Sequence, residues 1–406
     1  MRVYQVNVVC GFGSTGKIVA DLARVVQKKD GQCRISYGRG NIPKDIESIK
    51  ISNRLDLYIH AVMTRLTDRH GLFSITATRK LIKDIREYQP DVIHLHNIHG
   101  YYVNYSLLFQ FLKEYGKPVV WTLHDCWSFT GHCSHFEPIN CYKWKMQCEK
   151  CEQKNEYPQS CILDNSKKNY LLKKKAFLGV PQMVLVTPSN WLKDAVQESF
   201  LKEYRTIVIS NGIDVNVFCS RESEVLAREK EILGNQYGID YSKKVILGVA
   251  SVWTKDKGIE DFVKMANLNI NDIQIVLVGV NKKQIQELPS TIIGIERTEN
   301  KEELSALYAC SDVFLNPTYA DTFPTVNMES IMCGTPVITY DTCGSPESIL
   351  PGCGEVVEKG NYEKMLEKAL KLVNEGKRIP IPDAFDNEKF CSRYYELYQQ
   401  LTNYEK

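Results

Sequence analysis

Several stretches of this chain place polar, chemically capable residues directly after apolar runs. Thr122-Leu123-His124-Asp125 ends one such run with an imidazole and a carboxylate side by side, an arrangement open to either a functional pair or a buried, satisfied histidine. Gly11-Phe12-Gly13-Ser14-Thr15-Gly16-Lys17 follows the first run and would aim backbone N–H groups at an anion such as phosphate. It nearly matches a P-loop, but Ile18 stands where a Mg²⁺-ligating Ser or Thr is required, which excludes the ATPase reading. A tight turn that merely needs glycine is the alternative. His94-Leu95-His96-Asn97-Ile98-His99 resembles a metallohydrolase run of histidines, yet Ile98 replaces the needed Asp and no acidic partner stands nearby in sequence. His96, Asn97, His99 and Tyr101 instead form a polar, aromatic segment suited to sugar hydroxyls, with a plain solvent-exposed loop as the alternative.

In the second half, Lys257-Gly258 opens a helix just after a strand, where an ammonium could meet a diphosphate, with a solvated lysine, the commonest fate of this residue type, as the alternative. The most informative stretch runs from Asn316 to Glu329. Pro324 suits a helix start and Gly334 its stop. The free N–H groups near Thr325 and Val326 could take a phosphate, while Asp321 and Glu329 hold sugar or ribose hydroxyls.

The elements that must position these groups follow from hydrophobic period. Short β-branched runs alternate with helical periodicity, the signature of parallel sheets covered by helices. Strands are predicted at Val3–Val9, Arg34–Tyr37, Val92–His96, Val119–His124, Val184–Thr187 and Ile207–Ile209, with helices from about Lys17 and over Ser106–Tyr115. The pattern restarts at Lys244–Val249 and continues through Ile275–Val278, Ile292–Ile295, Val313–Leu315, Val337–Thr339 and Val356–Val357. A chain of 406 residues exceeds what one core usually holds. The expectation is an α/β protein with a first domain over 1–205, a connection over 206–215, a second domain over 216–385, and a last helix over 386–406 whose aromatics need a surface to pack on. In open parallel sheets ligands gather beyond the carboxyl ends of the strands, which is where all the polar stretches above fall.

Lys+Arg exceeds Asp+Glu by only two, 51 against 49, which gives no footprint for nonspecific nucleic-acid binding. The first residues read at once as a strand, without the basic-then-apolar run of a signal peptide, so a cytoplasmic location is the expectation. No apolar stretch reaches the roughly 18–20 residues needed to span a bilayer. The 14 cysteines then read as reduced thiols or metal ligands. Four of them, Cys133, Cys141, Cys148 and Cys151, lie in an irregular insertion at about 126–161 and could close a structural zinc site, with free thiols as the even alternative. The basic stretch Ser166–Leu178 carries apolar residues at helical spacing and could rest on anionic lipid, with a plain solvated helix as the more frequent explanation of such a charge run.

Taken together and in order, these segments resemble the retaining glycosyltransferases of family 4, also called group 1, over nearly the whole chain. The resemblance implies the GT-B fold, two Rossmann-like domains with parallel sheets facing across a cleft. The family hallmark is an acidic residue, seven others, then Glu, and Asp321 with Glu329 fits that spacing although the first position is more usually Glu. By resemblance, Asp321 faces the donor sugar, Glu329 the ribose, Lys257 the diphosphate, and Gly13, Ser14 and Gly16 approach from the other domain. His124 matches the histidine near the reacting sugar. Asn211-Gly212-Ile213-Asp214 and Gly344-Ser345-Pro346-Glu347 match further recurrent segments. An arginine common five residues before the lysine is Val252 here, which leaves that part of the phosphate clamp to Lys255 or backbone.

The family implies hexosyl transfer with retention from a nucleoside-diphosphate sugar, and no DxD motif calls for a catalytic metal. Thr122 through Trp127 and the following cysteines look like bacterial enzymes that assemble capsule, exopolysaccharide or O-antigen units. The implied acceptor is a saccharide, including polyprenyl-diphosphate-linked saccharides at the inner membrane. A sugar-nucleotide 2-epimerase and a non-catalytic scaffold are the alternatives.

Overall fold

A computed structural model describes residues 1–40, 42–268, 272–376 and 378–403. The chain divides into two compact units, one comprising Met1–Ser210 with the last helix, the other Asn211–Asn387.

The first unit is built on strands β1 (Arg2–Asn7), β2 (Gln32–Tyr37), β3 (Ser48–Lys50), β4 (Val92–Leu95), β5 (Val119–Thr122), β6 (Met183–Thr187) and β7 (Arg205–Val208). Between them run α1 (Gly13–Lys28), α2 (Arg54–Thr67), α3 (Ile75–Tyr88), α4 (Tyr105–Tyr115), α5 (Ser166–Phe177) and α6 (Asn190–Glu198). Among the described residues the sheet is parallel throughout, in the order β3-β2-β1-β4-β5-β6-β7. Its strands are apolar on both faces because helices cover both. Tyr4, Val6, Ile93, Leu95, Val119 and Trp121 pack to one side, and Val3, Ile35, Val92, Val120 and Val186 to the other.

The second unit restarts the pattern with β8 (Lys244–Val249), β9 (Ile273–Val278), β10 (Ile292–Ile295), β11 (Val313–Asn316), β12 (Val337–Asp341) and β13 (Gly354–Glu358). The helices are α7 (Ser223–Tyr237), α8 (Ile259–Ala266), α9 (Lys282–Glu287), α10 (Lys301–Cys310), α11 (Thr325–Met332) and α12 (Tyr362–Glu375). Its parallel sheet has the order β10-β9-β8-β11-β12-β13 among the described residues. Strand order reverses direction at β1/β4 in the first unit and at β8/β11 in the second. Helices leave opposite faces at such a point, so the strand ends open into a crevice.

Beyond shifts of a residue or two at strand ends, three details differ from the sequence reading. β3 was not expected, since a three-residue, half-exposed edge strand carries no alternation to detect. Helix α1 begins at Gly13, four residues earlier than predicted, so Gly13 to Gly16 form its first turn; Gly13 takes a φ of 65° that glycine allows at no cost. The ladders of β4 and β5 end at Leu95 and Thr122, so His96 and His124 lie in the loops beyond rather than in the strands.

The last helix, α13 (Asn387–Asn403), lays Phe390, Cys391, Tyr394, Leu397 and Tyr398 into the second apolar layer of the first unit. Its tyrosines also serve buried polar groups. Tyr398 Oη lies 2.6 Å from His94 Nδ1, and Tyr394 Oη 3.0 Å from Thr122 Oγ1, which in turn is 2.8 Å from His94 Nε2. Tyr398→Phe strands a ring nitrogen in the interior and is expected to cost about 1–3 kcal/mol, read as a lower urea midpoint with an unchanged slope.

Candidate functional site

In the second unit the polar groups converge at the β8/β11 switch. The turn after β8, residues 255–258, is stitched to the loop after β11. Tyr319 N donates to the Asp256 carbonyl at 2.8 Å, and Thr318 Oγ1 to the same oxygen at 3.3 Å. Gly258 takes a φ of 77°, and a Cβ there would stand 2.2 Å from the Pro317 carbonyl oxygen, so only glycine lets the two segments close. That closure brings Lys257 Nζ to 2.8 Å from Asp321 Oδ2, both side chains partly exposed. Asp321 Oδ1 accepts from Phe323 N at 3.2 Å, and its carbonyl accepts from Gly344 N at 3.1 Å.

Helix α11 then begins at Thr325, with Pro324 in the capping position and no side chain over its first N–H groups. From 321 to 330, the partly exposed residues are Asp321, Thr325, Val326 and Glu329, and all others are buried. They form one small surface with a carboxylate at each end and a helix start between. Beneath it Asn327 is wholly buried. Its side chain accepts from Asn316 Nδ2 and donates to Ser348 Oγ, both at 2.8 Å, while Thr339 and Ser345 share a 2.6 Å contact. This network ties α11 to β11, β12 and the Gly344–Glu347 segment. Glu329 Oε2 accepts from Tyr308 Oη at 3.1 Å, and burial followed by that carboxylate pushes the Tyr308 hydroxyl well above the usual phenol range. Val252 is exposed, and Lys255 lies exposed in the same turn.

In the first unit, β4 and β5 end side by side and deliver a chain of imidazoles. His94 and His96 share a face, ring centroids 3.9 Å apart, as strand alternation requires. His96 is buried, not available on the surface: its Nε2 lies 3.1 Å from Gln5 Oε1 and its Nδ1 3.2 Å from His124 Nε2. Its geometry therefore positions His124. Asn97, Tyr101, His124 and Asp125 are partly exposed, and a pocket at this end is lined by Asn97, His99, His124 and Asp125 among others.

The acidic partner missing from the local sequence is supplied by the fold, for His99 Nε2 lies 2.8 Å from Asp125 Oδ2. Burial pushes the Asp125 carboxyl up, but the His99 charge, with help from His135 and the Trp127 N–H, outweighs it and leaves the value at about 2. His99 Nδ1 meets Tyr157 Oη at 3.0 Å, and nothing in the sequence singled out Tyr157. Burial, aided by His99 and opposed by Asp125, holds His124 down at about 4. At the start of α1, Gly13 and Ser14 are exposed and no side chain caps the helix, so its first N–H groups face outward.

The cysteine-rich insertion is ordered differently from the zinc expectation. Among the described residues no group of three or more His, Cys, Asp or Glu is arranged to hold a metal ion. Instead the Cys133 thiol donates to Cys151, whose pKa falls to about 7, while burial pushes Cys148 up to about 12. Apolar packing does the folding. Trp144 stacks among Phe129 and Phe136, at centroid distances of 5.0 and 4.7 Å. The wholly buried Lys173 ammonium donates to the Trp127 and Thr130 carbonyls at 2.7 and 3.1 Å.

Comparison with known proteins gives two family matches: residues 15–217 with the model described as Glycosyltransferase Family 4, and residues 243–375 with Glycosyl transferases group 1. The chain is 25% identical over 390 residues, 92% of its own length and 89% of the other, to WcaC of Escherichia coli (strain K12), named as a candidate glycosyl transferase of colanic acid biosynthesis. It is 23% identical over 243 residues, 57% of its length and 63% of the other, to the N,N'-diacetylbacillosaminyl-diphospho-undecaprenol alpha-1,3-N-acetylgalactosaminyltransferase of Campylobacter jejuni. Among solved structures, Anabaena Alr3699/HepE in complex with UDP-glucose superposes with a TM-score of 0.62 at 15% identity, covering 98% of this chain and all of that one.

Two outcomes follow from the geometry. Gly258→Ala forces a Cβ against the Pro317 carbonyl at positive φ and is expected to destabilise by about 1–3 kcal/mol, seen as a lower Tm of the second unit. In the first unit, burial before all else drives His60 down to about 3 and His124 to about 4, and holds His70, His94 and His96 well below the usual imidazole range. His132 goes the other way, because Asp68 outweighs its burial. Groups depressed in the fold contribute stability that is present above about pH 6.5 and lost as pH falls toward 4, at up to about 1.4 kcal/mol per imidazole per pH unit. Calorimetry is therefore expected to show Tm dropping by several degrees from pH 7.5 to 5; a flat profile would mean that these rings take up protons in the native state as readily as in the unfolded chain.

Proposed function

The chain belongs to the group 1 glycosyltransferases of family 4 and has their GT-B fold, and from that premise we propose that it moves a hexosyl group from a nucleoside-diphosphate sugar to a lipid-linked saccharide in surface polysaccharide assembly, with retention of configuration. The observation that carries the donor side is the surface made by Asp321, Thr325, Val326 and Glu329 with Lys257 at its edge. A nucleoside diphosphate sugar presents the complementary groups: ribose hydroxyls for the Glu329 carboxylate, a diphosphate for the Lys257 ammonium and the Thr325 and Val326 N–H groups, and sugar hydroxyls for Asp321. In the first unit the start of α1, with Gly13, Ser14 and Gly16, offers a further set of backbone N–H groups to an anion.

In the reaction, the bond from the sugar C1 to the diphosphate oxygen breaks as the acceptor oxygen bonds C1 from the same face. The acceptor proton passes to the departing phosphate oxygen, and nucleoside diphosphate leaves. Charge grows on that phosphate, where Lys257 and the helix start stabilise it most strongly in the transition state. His124, kept neutral by burial and held by His96, would accept or donate a hydrogen bond at the reacting sugar without adding charge. Asn97, Tyr101 and the His99–Asp125 pair would hold acceptor hydroxyls, His96 serving behind them. Support for a lipid-linked saccharide comes from the Campylobacter jejuni relative, whose name specifies a diphospho-undecaprenol substrate, and support for surface polysaccharide from the colanic acid relative.

The test is nucleoside diphosphate release from a panel of UDP-, GDP- and ADP-sugars in EDTA, with and without bacterial lipid extract. One donor is expected to respond, with release raised by the extract. Lys257→Ala and Glu329→Gln are expected to lower kcat/KM by roughly a hundredfold or more. Silence across the panel despite donor binding would favour the epimerase or scaffold alternatives.

A further inference from the structure

A helix on the surface of a globular unit ordinarily turns its polar face to water. Helix α2 does the reverse. Its inward side is narrow: His60 and Thr64 are its buried residues, the partly buried Leu57 packs on the core beside them, and His60 Nδ1 lies 2.7 Å from Ser74 Oγ. Outward it shows Leu55, Tyr58, Ile59 and Leu66, of which Leu55 and Tyr58 are 65% and 68% exposed, with Val62 and Met63 half-buried on the same stripe. The stripe continues off the helix, because Cys161 N donates to the Arg65 carbonyl at 2.8 Å and so sets Ile162 and Leu163, both exposed, beside its C-terminal end.

Charge on this face has one predominant sign. Arg54, Arg65 and Arg69 are exposed along it, while Asp68 is buried beneath and Asp164, exposed, accepts from the Cys151 and Ser166 N–H groups. Asp56, partly exposed, is the acidic exception on the helix. Next to it stands the exposed side of α5 with Lys168, Lys174, Lys175 and Lys167, the last paired with the exposed Glu149 at 3.4 Å, joined to the end of α2 where Asn165 N donates to Asp68 Oδ2 at 2.6 Å and Asn165 Nδ2 to the Thr67 carbonyl at 2.7 Å. A contiguous apolar stripe rimmed by cations matches an anionic bilayer surface, into which leucine, isoleucine and tyrosine side chains insert while arginine and lysine meet headgroup phosphates. The lipid contact expected of α5 alone is thus a smaller part of a larger face.

The position of that face matters. Ser74, bonded to His60 on the inner side of α2, donates to the Tyr101 carbonyl at 3.1 Å, and the His60 and Tyr101 rings are 5.7 Å apart. We propose that the outward stripe of α2, with residues 162–163 and the lysines of α5, docks the first unit on an anionic lipid surface and so sets the Tyr101–His99–Asp125 loops against the membrane that carries the acceptor. The inference rests on the lipid-linked acceptor reading above and assigns it a surface.

Cosedimentation of the full chain is measured with vesicles of phosphatidylcholine alone and of phosphatidylcholine mixed with phosphatidylglycerol, at low and high salt. The wild type is expected to partition at least about tenfold more to the anionic vesicles, less so at high salt. The Tyr58→Glu/Ile59→Glu variant should lose about tenfold of that binding with unchanged Tm and unchanged nucleotide binding, and replacing Arg54, Arg65 and Arg69 by Ala should remove much of the anionic preference. Equal sedimentation of wild type and the glutamate variant, or no preference for anionic vesicles, overturns the proposal. So does a dimer in light scattering that the glutamate variant dissolves, which would assign the face to a second copy. Vesicle binding needs no turnover, so docking without nucleoside diphosphate release would bring down the transferase reading alone, and release with a short water-soluble acceptor but no docking would bring down this one alone.

Discussion

A parallel sheet covered by helices on both faces has nowhere to present polar groups except at its strand ends. Every interior position is apolar or must carry its own partners, since an unmatched polar group there costs about 1–3 kcal/mol. Most buried polar groups follow this constraint, with exceptions such as Tyr105 Oη and Trp144 Nε1 in the first unit and Tyr241 Oη in the second, and the arrangement of chemistry in the molecule follows from it. At β8/β11 in one unit, and along β1, β4 and β5 in the other, the chain emerges from the sheet and loops from adjacent strands are forced together. Lys257 and Asp321 are 64 residues apart and meet because their strands are neighbours.

What holds those loops in place is a layer of buried polar contacts directly behind the surface groups. Asn327, Asn316, Thr339, Ser345 and Ser348 form such a layer under α11, and Gln5, His96, His94 and Thr122 form another under His124. In each case the buried members are hydrogen-bonded to more than one element, so the exposed group in front has little freedom. Low dielectric strengthens such bonds and makes their loss costly. The last helix extends the same logic, since its tyrosines fill an apolar layer and satisfy His94 in one stroke.

The insertion after β5 shows a second way to order irregular chain. Trp144 and its aromatic neighbours supply the packing, Lys173 bridges two carbonyls, and the buried Asp68–His132 pair, 2.5 Å between Oδ1 and Nδ1, ties the segment to the end of α2. Through these contacts the insertion brings Tyr157 to His99 and Ile162 to the edge of α2. The cysteines read alone left structural zinc and free thiols even, and the aromatic residues between them supply the packing that orders the segment.

Much of this was legible in the residues themselves. Period-two apolar runs alternating with helical stretches determined two parallel α/β units. The motif spacing from Asp321 to Glu329, with Pro324 and Gly334 as its punctuation, determined where α11 starts and which residues border it. The family and its activity followed from several such motifs standing in one order. Tertiary structure alone decided which groups meet. It paired His99 with Asp125 and Tyr157, buried His96 behind His124, drew α1 back to Gly13, added the short edge strand β3, and turned the apolar side of α2 outward. The reason is physical: local sequence sets backbone preference and hydrophobic period, which act over a few residues, whereas side-chain partners, burial and hence proton affinity are set by neighbours tens or hundreds of residues away.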